Sequence, residues 1–316
     1  MKLIEKITQG DILSAAKLMR RLENDEPEAI DELKELYRHT GNAYIVSVSG
    51  APGAGKSTLL ANLIGAFRKK RYSVGVVAVD PTSPLSGGAI LGDRLRMQKH
   101  GEDKDVFIRS LASRGWKGGL SKAVMNTIHV MDSMGKDVIF VEAVGSGQGE
   151  TDFARLADTS ILVLVSGMGD EIQVIKAGIM EVADILVVNK ADRVGAAAFA
   201  TTVTTMLDTS PNIDGKWKPP VILTDALQDK GTSKLVKEIL RHRTFLKITG
   251  QIEQRRLHRA EFELISAVEQ VLRNKLSSLD NGRLEKLVLE LAAGNVDPVS
   301  AAEKLLRVPR VKRKVN

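Results

Sequence analysis

The sequence predicts an α/β protein: a largely parallel sheet flanked by helices, with a helical arm before it and a helical extension after it. Three observations carry this. Short apolar runs rich in β-branched residues recur between Tyr44 and Leu223, and continuous rather than alternating runs indicate strands buried on both faces. Stretches with apolar residues three or four positions apart lie between them, as crossover helices require. Before residue 41 and beyond about residue 245 only the helical spacing remains. The expected anatomy is therefore an arm over 1–40, an α/β domain over 41–245 and an extension over 246–316.

In the arm, Ile12, Ala15, Ala16, Met19, Leu22, Ile30, Leu33 and Leu36 keep the helical period, and Pro27 is suited to the first turn of a second helix. The sheet begins at Tyr44–Val48 and continues through Val74–Val79, Val138–Val141, Ser160–Val165, Ile185–Val188 and Val221–Leu223. In the extension a long stripe from Ile252 to Leu276 precedes two shorter helical patterns, Leu284–Leu291 and Val299–Leu306. The chain ends in a basic tail from Arg307.

Composition narrows the function. The 316 residues carry a net charge of +7, and residues 241–316 hold 16 basic and 9 acidic side chains. The excess thus sits on the extension, where it suits a local protein surface better than a general polyanion site. With aromatics at 4% there is no stacking platform, so nucleic acid is not an expected partner. Cysteine is absent, which removes disulfides, thiolate metal sites and cysteine nucleophiles. The longest apolar run is far short of a membrane span, and the N-terminus resembles neither a secretion signal nor a transit peptide. A cytoplasmic protein without membrane partners is expected.

The chemistry-bearing motif is Gly50-Ala51-Pro52-Gly53-Ala54-Gly55-Lys56-Ser57-Thr58, which fits G-x4-G-K-[ST] between a strand and a helix running from about Lys56 to Lys70. Glycines let successive backbone N–H groups turn toward one anion, and the helix N-terminus adds its positive end. Lys56 then meets the β- and γ-phosphates, and the Ser57 hydroxyl is a Mg²⁺ ligand. Mg²⁺ wants further oxygen donors, usually carboxylates. Asp80 and Glu142 each end a predicted strand, and Asp93 follows in a Gly-rich loop; this reading leaves open which of them touches the ion.

Asn189-Lys190-Ala191-Asp192 follows another strand, about 130 residues past the phosphate loop. A carboxylate at the last position accepts from the N1–H and 2-amino group of guanine, which adenine cannot offer, so GTP and GDP are favoured over their adenine counterparts. Between these motifs, Glu142-Ala-Val-Gly145-Ser-Gly-Gln148 places a glycine N–H where it can sense a γ-phosphate and a glutamine where it can orient water. Lys56, Glu142 and Gln148 are the expected catalytic residues. Of Arg94, Arg96, Arg109 and Arg114, most read as surface arginines.

Longer strings carry a family resemblance. Asp80-Pro-Thr-Ser-Pro-Leu-Ser-Gly-Gly-Ala-Ile-Leu-Gly-Asp93-Arg, Glu142–Glu150 and Gly169–Ile185, closing on Asn189–Asp192, resemble the MeaB/ArgK family of P-loop GTPases. The resemblance implies a homodimeric Mg²⁺-dependent GTPase that gates loading and protection of adenosylcobalamin in an acyl-CoA mutase. It maps Lys56, Ser57, Asp80, Asp93 and Glu142 to the phosphate and Mg²⁺ shell. Asn189, Lys190 and Asp192 map to guanine, together with the loop Thr224-Asp225-Ala226, whose Ala226 N–H is in place for the base oxygen. Ser166–Gly178 corresponds to a switch loop facing the mutase. Ala143 and Ser146 stand where the family usually has Thr and Val, Asp225 where it has Ser, and Ser166 where it has Pro. The rival expectation is a nucleotide-hydrolysing kinase or ATPase tied to basic amino-acid transport, after an older label of the family.

Overall fold

The computed structural model describes residues 2–80, 97–112, 119–143, 150–167, 182–208, 217–277 and 281–306. Three helices open the chain: α1 (Leu3–Thr8), α2 (Ile12–Glu23) and α3 (Pro27–Leu36). The Asp11 carboxylate caps α2 by accepting from Ser14 N, and Pro27 stands in the first turn of α3. The α/β elements follow in order: β1 (Tyr44–Gly50), α4 (Lys56–Lys69), β2 (Val74–Asp80), β3 (Val106–Ala112), α5 (Gly119–Ser133), β4 (Val138–Glu142), α6 (Glu150–Leu156), β5 (Thr159–Val165), β6 (Ile185–Asn189), α7 (Ala196–Asp208), β7 (Val221–Leu223) and α8 (Thr232–Ile248). Then come α9 (Gln251–Ser277), α10 (Asn281–Ala292) and α11 (Pro298–Leu306).

The seven strands form one parallel sheet in the order β3-β2-β4-β1-β5-β6-β7. The central strands β1, β4, β5 and β6 are buried along their whole length, as their unbroken apolar runs require. One face is covered by α4 and α8, where Leu59, Leu60, Leu63, Ile64 and Phe67 meet Leu235, Val236 and Ile239. On the other face α5 packs Val124, Ile128 and Met131 against Ile7, Leu18, Met19 and Leu36 of the arm. The Asp132 carboxylate accepts from the backbone N–H groups of Gly41, Asn42 and Ala43, fixing the path from arm to sheet.

One strand escaped the sequence reading. β3 contains Arg109 and Ser110, and its burial is mixed because it lies at the sheet edge; a half-covered edge strand lacks the continuous apolar run of the interior ones. Arg109, one of the four arginines between the motifs, pairs with Glu23 of α2.

By compactness the chain divides into residues 1–263 and 264–316, with the division inside α9. The first turns of α9 belong to the first unit. Ile252 is in its core, Arg255 forks onto Asp184, Arg259 donates to Asp158, and His129 meets Glu263 at 3.0 Å. In the second unit Leu264, Ile265, Val268, Val271, Leu284, Val288, Leu289 and Val299 are exposed.

Candidate functional site

Parallel strands deliver their C-terminal ends to one edge of the sheet, and ligands bind outside that edge where the strand order reverses. Here β1 is the reversal point, flanked by β4 and β5. Register does the rest. Val48 of β1 is level with Glu142 of β4, and Val165 of β5 is level with Asn189 of β6. Four separated motifs are thereby brought around a cavity of about 620 Å³, lined among others by Gly53, Lys56, Ser57, Glu142, Asn189 and Asp192. A volume of that size suits a nucleotide-sized ligand.

Two glycines of the phosphate loop are dictated by the backbone. Gly50 has φ +138°, and a Cβ there would lie 2.2 Å from Val163 O. Gly55 has φ +89°, and its Cβ would lie 2.4 Å from Asn189 Nδ2. The loop therefore runs closely against β5 and the β6 loop while its N–H groups stay available at the head of α4. Lys56 Nζ donates to Gly50 O at 2.7 Å and Ala51 O at 3.1 Å, which holds a buried ammonium at the loop mouth. Ser57 Oγ donates to Glu142 Oε1 at 2.7 Å, both buried. A hydroxyl and a carboxylate oxygen paired at the start of α4 form a hard-oxygen donor set of the kind Mg²⁺ takes. Among the described residues there is no cluster of three or more His, Asp or Glu side chains that would hold a metal without further ligands. Such an ion would take part of its shell from phosphate and water.

The base side is equally built. Asn189 is 1% exposed, so its amide must be satisfied internally. Nδ2 donates to Ala54 O at 2.8 Å, and Oδ1 accepts from Thr224 Oγ1 at 3.0 Å and Ala226 N at 3.2 Å. That one side chain ties the phosphate loop to the loop after β7. Lys190 Nζ donates to Gly53 O at 2.8 Å, a second tie across the same gap. Asp192 is exposed at the cavity rim. Asp225 lines the cavity, and its Oδ1 accepts from Leu227 N and Gln228 N, which closes the turn that presents Ala226.

Lys56, Ser57, Glu142, Asn189, Lys190, Asp192, Asp225 and Ala226 thus come together as the sequence suggested. Asp80 ends β2 at the same edge. Its side chain, and Asp93, Gly145 and Gln148, lie outside the described residues, as does most of Ser166–Gly178. Arg193 and Leu227 also line the cavity and were missed. Leu227 is 89% exposed, and its place directly after the Thr-Asp-Ala string was the available signal.

At the opposite edge of the sheet lies a buried polar cluster. Asp184, just before β6, accepts from Arg255 at 2.6 and 2.8 Å and from Ser160 N and Oγ at 2.8 and 2.9 Å. The Tyr44 and Thr159 hydroxyls are hydrogen-bonded to each other, and the Thr159 hydroxyl also pairs with His242 Nδ1 at 2.8 Å. Burial pushes His242 down to about 4, opposed by the nearby Asp184 carboxylate. The same burial pushes the Tyr44 phenol up. This cluster anchors the root of α9 to the sheet, remote from the nucleotide cavity.

A phosphate-binding loop at a sheet reversal, joined to an N-K-x-D loop, defines a P-loop GTPase. Comparison with known proteins agrees. The profile of the family described as methylmalonyl Co-A mutase-associated GTPase MeaB matches residues 15–281, and the chain belongs to that family. A Pyrococcus abyssi protein carrying a GTPase name is 46% identical over 97% of this chain and 95% of its own length. GTPase ArgK of Escherichia coli is 32% identical over 92% and 91%. A crystal structure described as a LAO/AO transport system kinase aligns with TM-score 0.71 at 26% identity, covering 96% of this chain and 95% of that one.

Proposed function

We propose that this GTPase is a nucleotide-gated chaperone for an adenosylcobalamin-dependent acyl-CoA mutase, acting in the cytoplasm as a homodimer. The observation that carries the nucleotide half is the convergence of Ser57–Glu142 and Asn189–Ala54–Ala226 on one cavity. The mutase half rests on the family description. The apolar stripe of the second unit, with Leu264 at 65% and Leu289 at 69% exposure in the single chain, supports self-association, since monomers seldom leave such a face in water.

In this reading the backbone N–H groups of 53–58 and the Lys56 ammonium hold the triphosphate, and Asp192 selects guanine by accepting from its N1–H and 2-amino group. Ser57 and Glu142 hold Mg²⁺, with Asp80 and Asp93 as further donors. When bound, the ion neutralises charge on the phosphates. Gly145 reads the γ-phosphate and Gln148 orients the attacking water. Hydrolysis of this kind depends on positioning and charge stabilisation more than on covalent chemistry.

The test is co-purification with an acyl-CoA mutase from the native host, with the protein loaded with GDP or a non-hydrolysable GTP analogue. Binding that depends on the nucleotide, and GTP turnover that changes when the mutase is added, are expected. Capture that ignores nucleotide, or turnover indifferent to every acyl-CoA mutase of the host, would overturn the reading. The transport-linked kinase remains the competitor because of the solved relative's description. ATP competing with GTP at equal concentration would favour it. Among the described residues no helix is long and apolar enough to cross a membrane.

A further inference from the structure

The helix that begins at the phosphate loop carries one amide in an otherwise apolar stretch, Leu59-Leu60-Ala61-Asn62-Leu63-Ile64. Asn62 is half-buried, and its Nδ2 donates to Ala226 O at 2.8 Å. The same peptide unit is held on its other side, where Ala226 N donates to Asn189 Oδ1. Which way the Asn62 amide points is settled by Lys99. An ammonium can only donate, and Lys99 Nζ lies 3.2 Å from Asn62 Oδ1, so the amide NH₂ must face the Ala226 carbonyl. Lys99 sits in a short 3-10 turn, Gln98–His100, whose His100 Nε2 lies 2.8 Å from Ala61 O.

We propose that Asn62 is a positioning residue for guanine recognition, holding the Ala226 peptide at a fixed distance from the phosphate loop. The inference rests on the guanine reading above and adds to it. Lys56 and Ser57 start α4, and Asn62 stands six residues later, about 9 Å along the axis at 1.5 Å per residue. One rigid helix therefore sets both the phosphate end and the base end of the site. Asn189 alone cannot do this, because its amide is shared among Ala54, Thr224 and Ala226. The residues that line the cavity include Ala226 but not Asn62, so its effect acts through the Ala226 peptide and is confined to ligands that carry a base.

That confinement is the test. Calorimetric affinities are measured on the full chain for GDP, ADP and inorganic tripolyphosphate, which fills the phosphate loop and has no base. Asn62→Ala is expected to weaken GDP about fivefold, the worth of one neutral hydrogen bond, and to leave tripolyphosphate within twofold. In turnover, KM for GTP rises by a similar factor while kcat at saturation stays within twofold. Asn62→Asp keeps the acceptor for Lys99 but turns a carboxylate toward Ala226 O, and is expected to lose at least as much GDP affinity. Unchanged GDP binding in both variants overturns the proposal. So does a parallel loss of GDP and tripolyphosphate, which would make Asn62 a support of the helix. Equal binding of ADP and GDP by the wild-type chain would overturn the guanine reading itself, a result separate from either.

Discussion

Replacing Asp184 by alanine should be among the most destabilising single changes in the first unit, and it should leave the nucleotide site alone. The carboxylate accepts four hydrogen bonds, two from the Arg255 fork and two from Ser160. Asp184 is 6% exposed, and burial disfavours the charged guanidinium of Arg255, which Asp184 offsets. Removing one partner of a buried pair costs about 3–5 kcal/mol, because the other charge stays behind uncompensated. The orphaned Ser160 N–H lies within that sum. With about 4 kcal/mol lost and a urea slope of about 3 kcal/mol/M, the midpoint should fall by about 1.3 M. Trp217 donates to Asp184 O and its ring centroid lies 4.6 Å from that of His242, so its fluorescence reports this cluster directly. Asp184→Asn keeps an acceptor oxygen and should lose about half as much. GDP affinity should stay within twofold, since Asp184 and Asn189 stand at opposite ends of β6. A midpoint shift below about 0.3 M in the alanine variant would refute the reasoning.

Gly55→Ala forces a Cβ into φ +89° and to 2.4 Å from Asn189 Nδ2; strain of about 1–2 kcal/mol and the lost Asn189–Ala54 bond should weaken GDP binding about 30-fold or more by calorimetry. His242 is held near 4 in the folded chain against 6.5 unfolded, so its stabilising contribution is complete above about 6.5 and disappears as the pH falls toward 4. Between pH 7 and pH 5 that is about 2 kcal/mol, read as the part of the urea-unfolding pH dependence that His242→Gln abolishes. If the proposed homodimer forms through the exposed stripe of α9, the wild type sediments as a dimer and Val268→Asp as a monomer, with GDP affinity unaltered.

Much of the site was readable because its chemistry is local in sequence. The phosphate loop and N-K-x-D are contiguous strings, and the strands that carry them are continuous apolar runs. What stayed hidden depends on pairing across the fold. β3 was missed because an edge strand carries Arg109 among its apolar residues, and Arg109 finds Glu23, 86 residues away. Asp184 reads in sequence as an ordinary loop acid, and Arg255 as one of many basic residues on an amphipathic helix. Only the approach of α9 to the starts of β5 and β6 makes them a buried pair. Asn62 left a faint trace, one amide in an apolar run, but its partner Ala226 is 164 residues distant.

Exchanging the Asp192 carboxylate for an amide tests the proposed guanine-selective site most directly. Asparagine can no longer accept from both N1–H and the 2-amino group, but its NH₂ can donate to the 2-oxo group of xanthine. In calorimetric titrations with Mg²⁺, Asp192→Asn should lose GDP affinity by 100-fold or more, about 3 kcal/mol, and gain affinity for xanthosine diphosphate, with tripolyphosphate binding unchanged. A variant that binds GDP as the wild type does, or shows no gain for the xanthine nucleotide, would contradict the account.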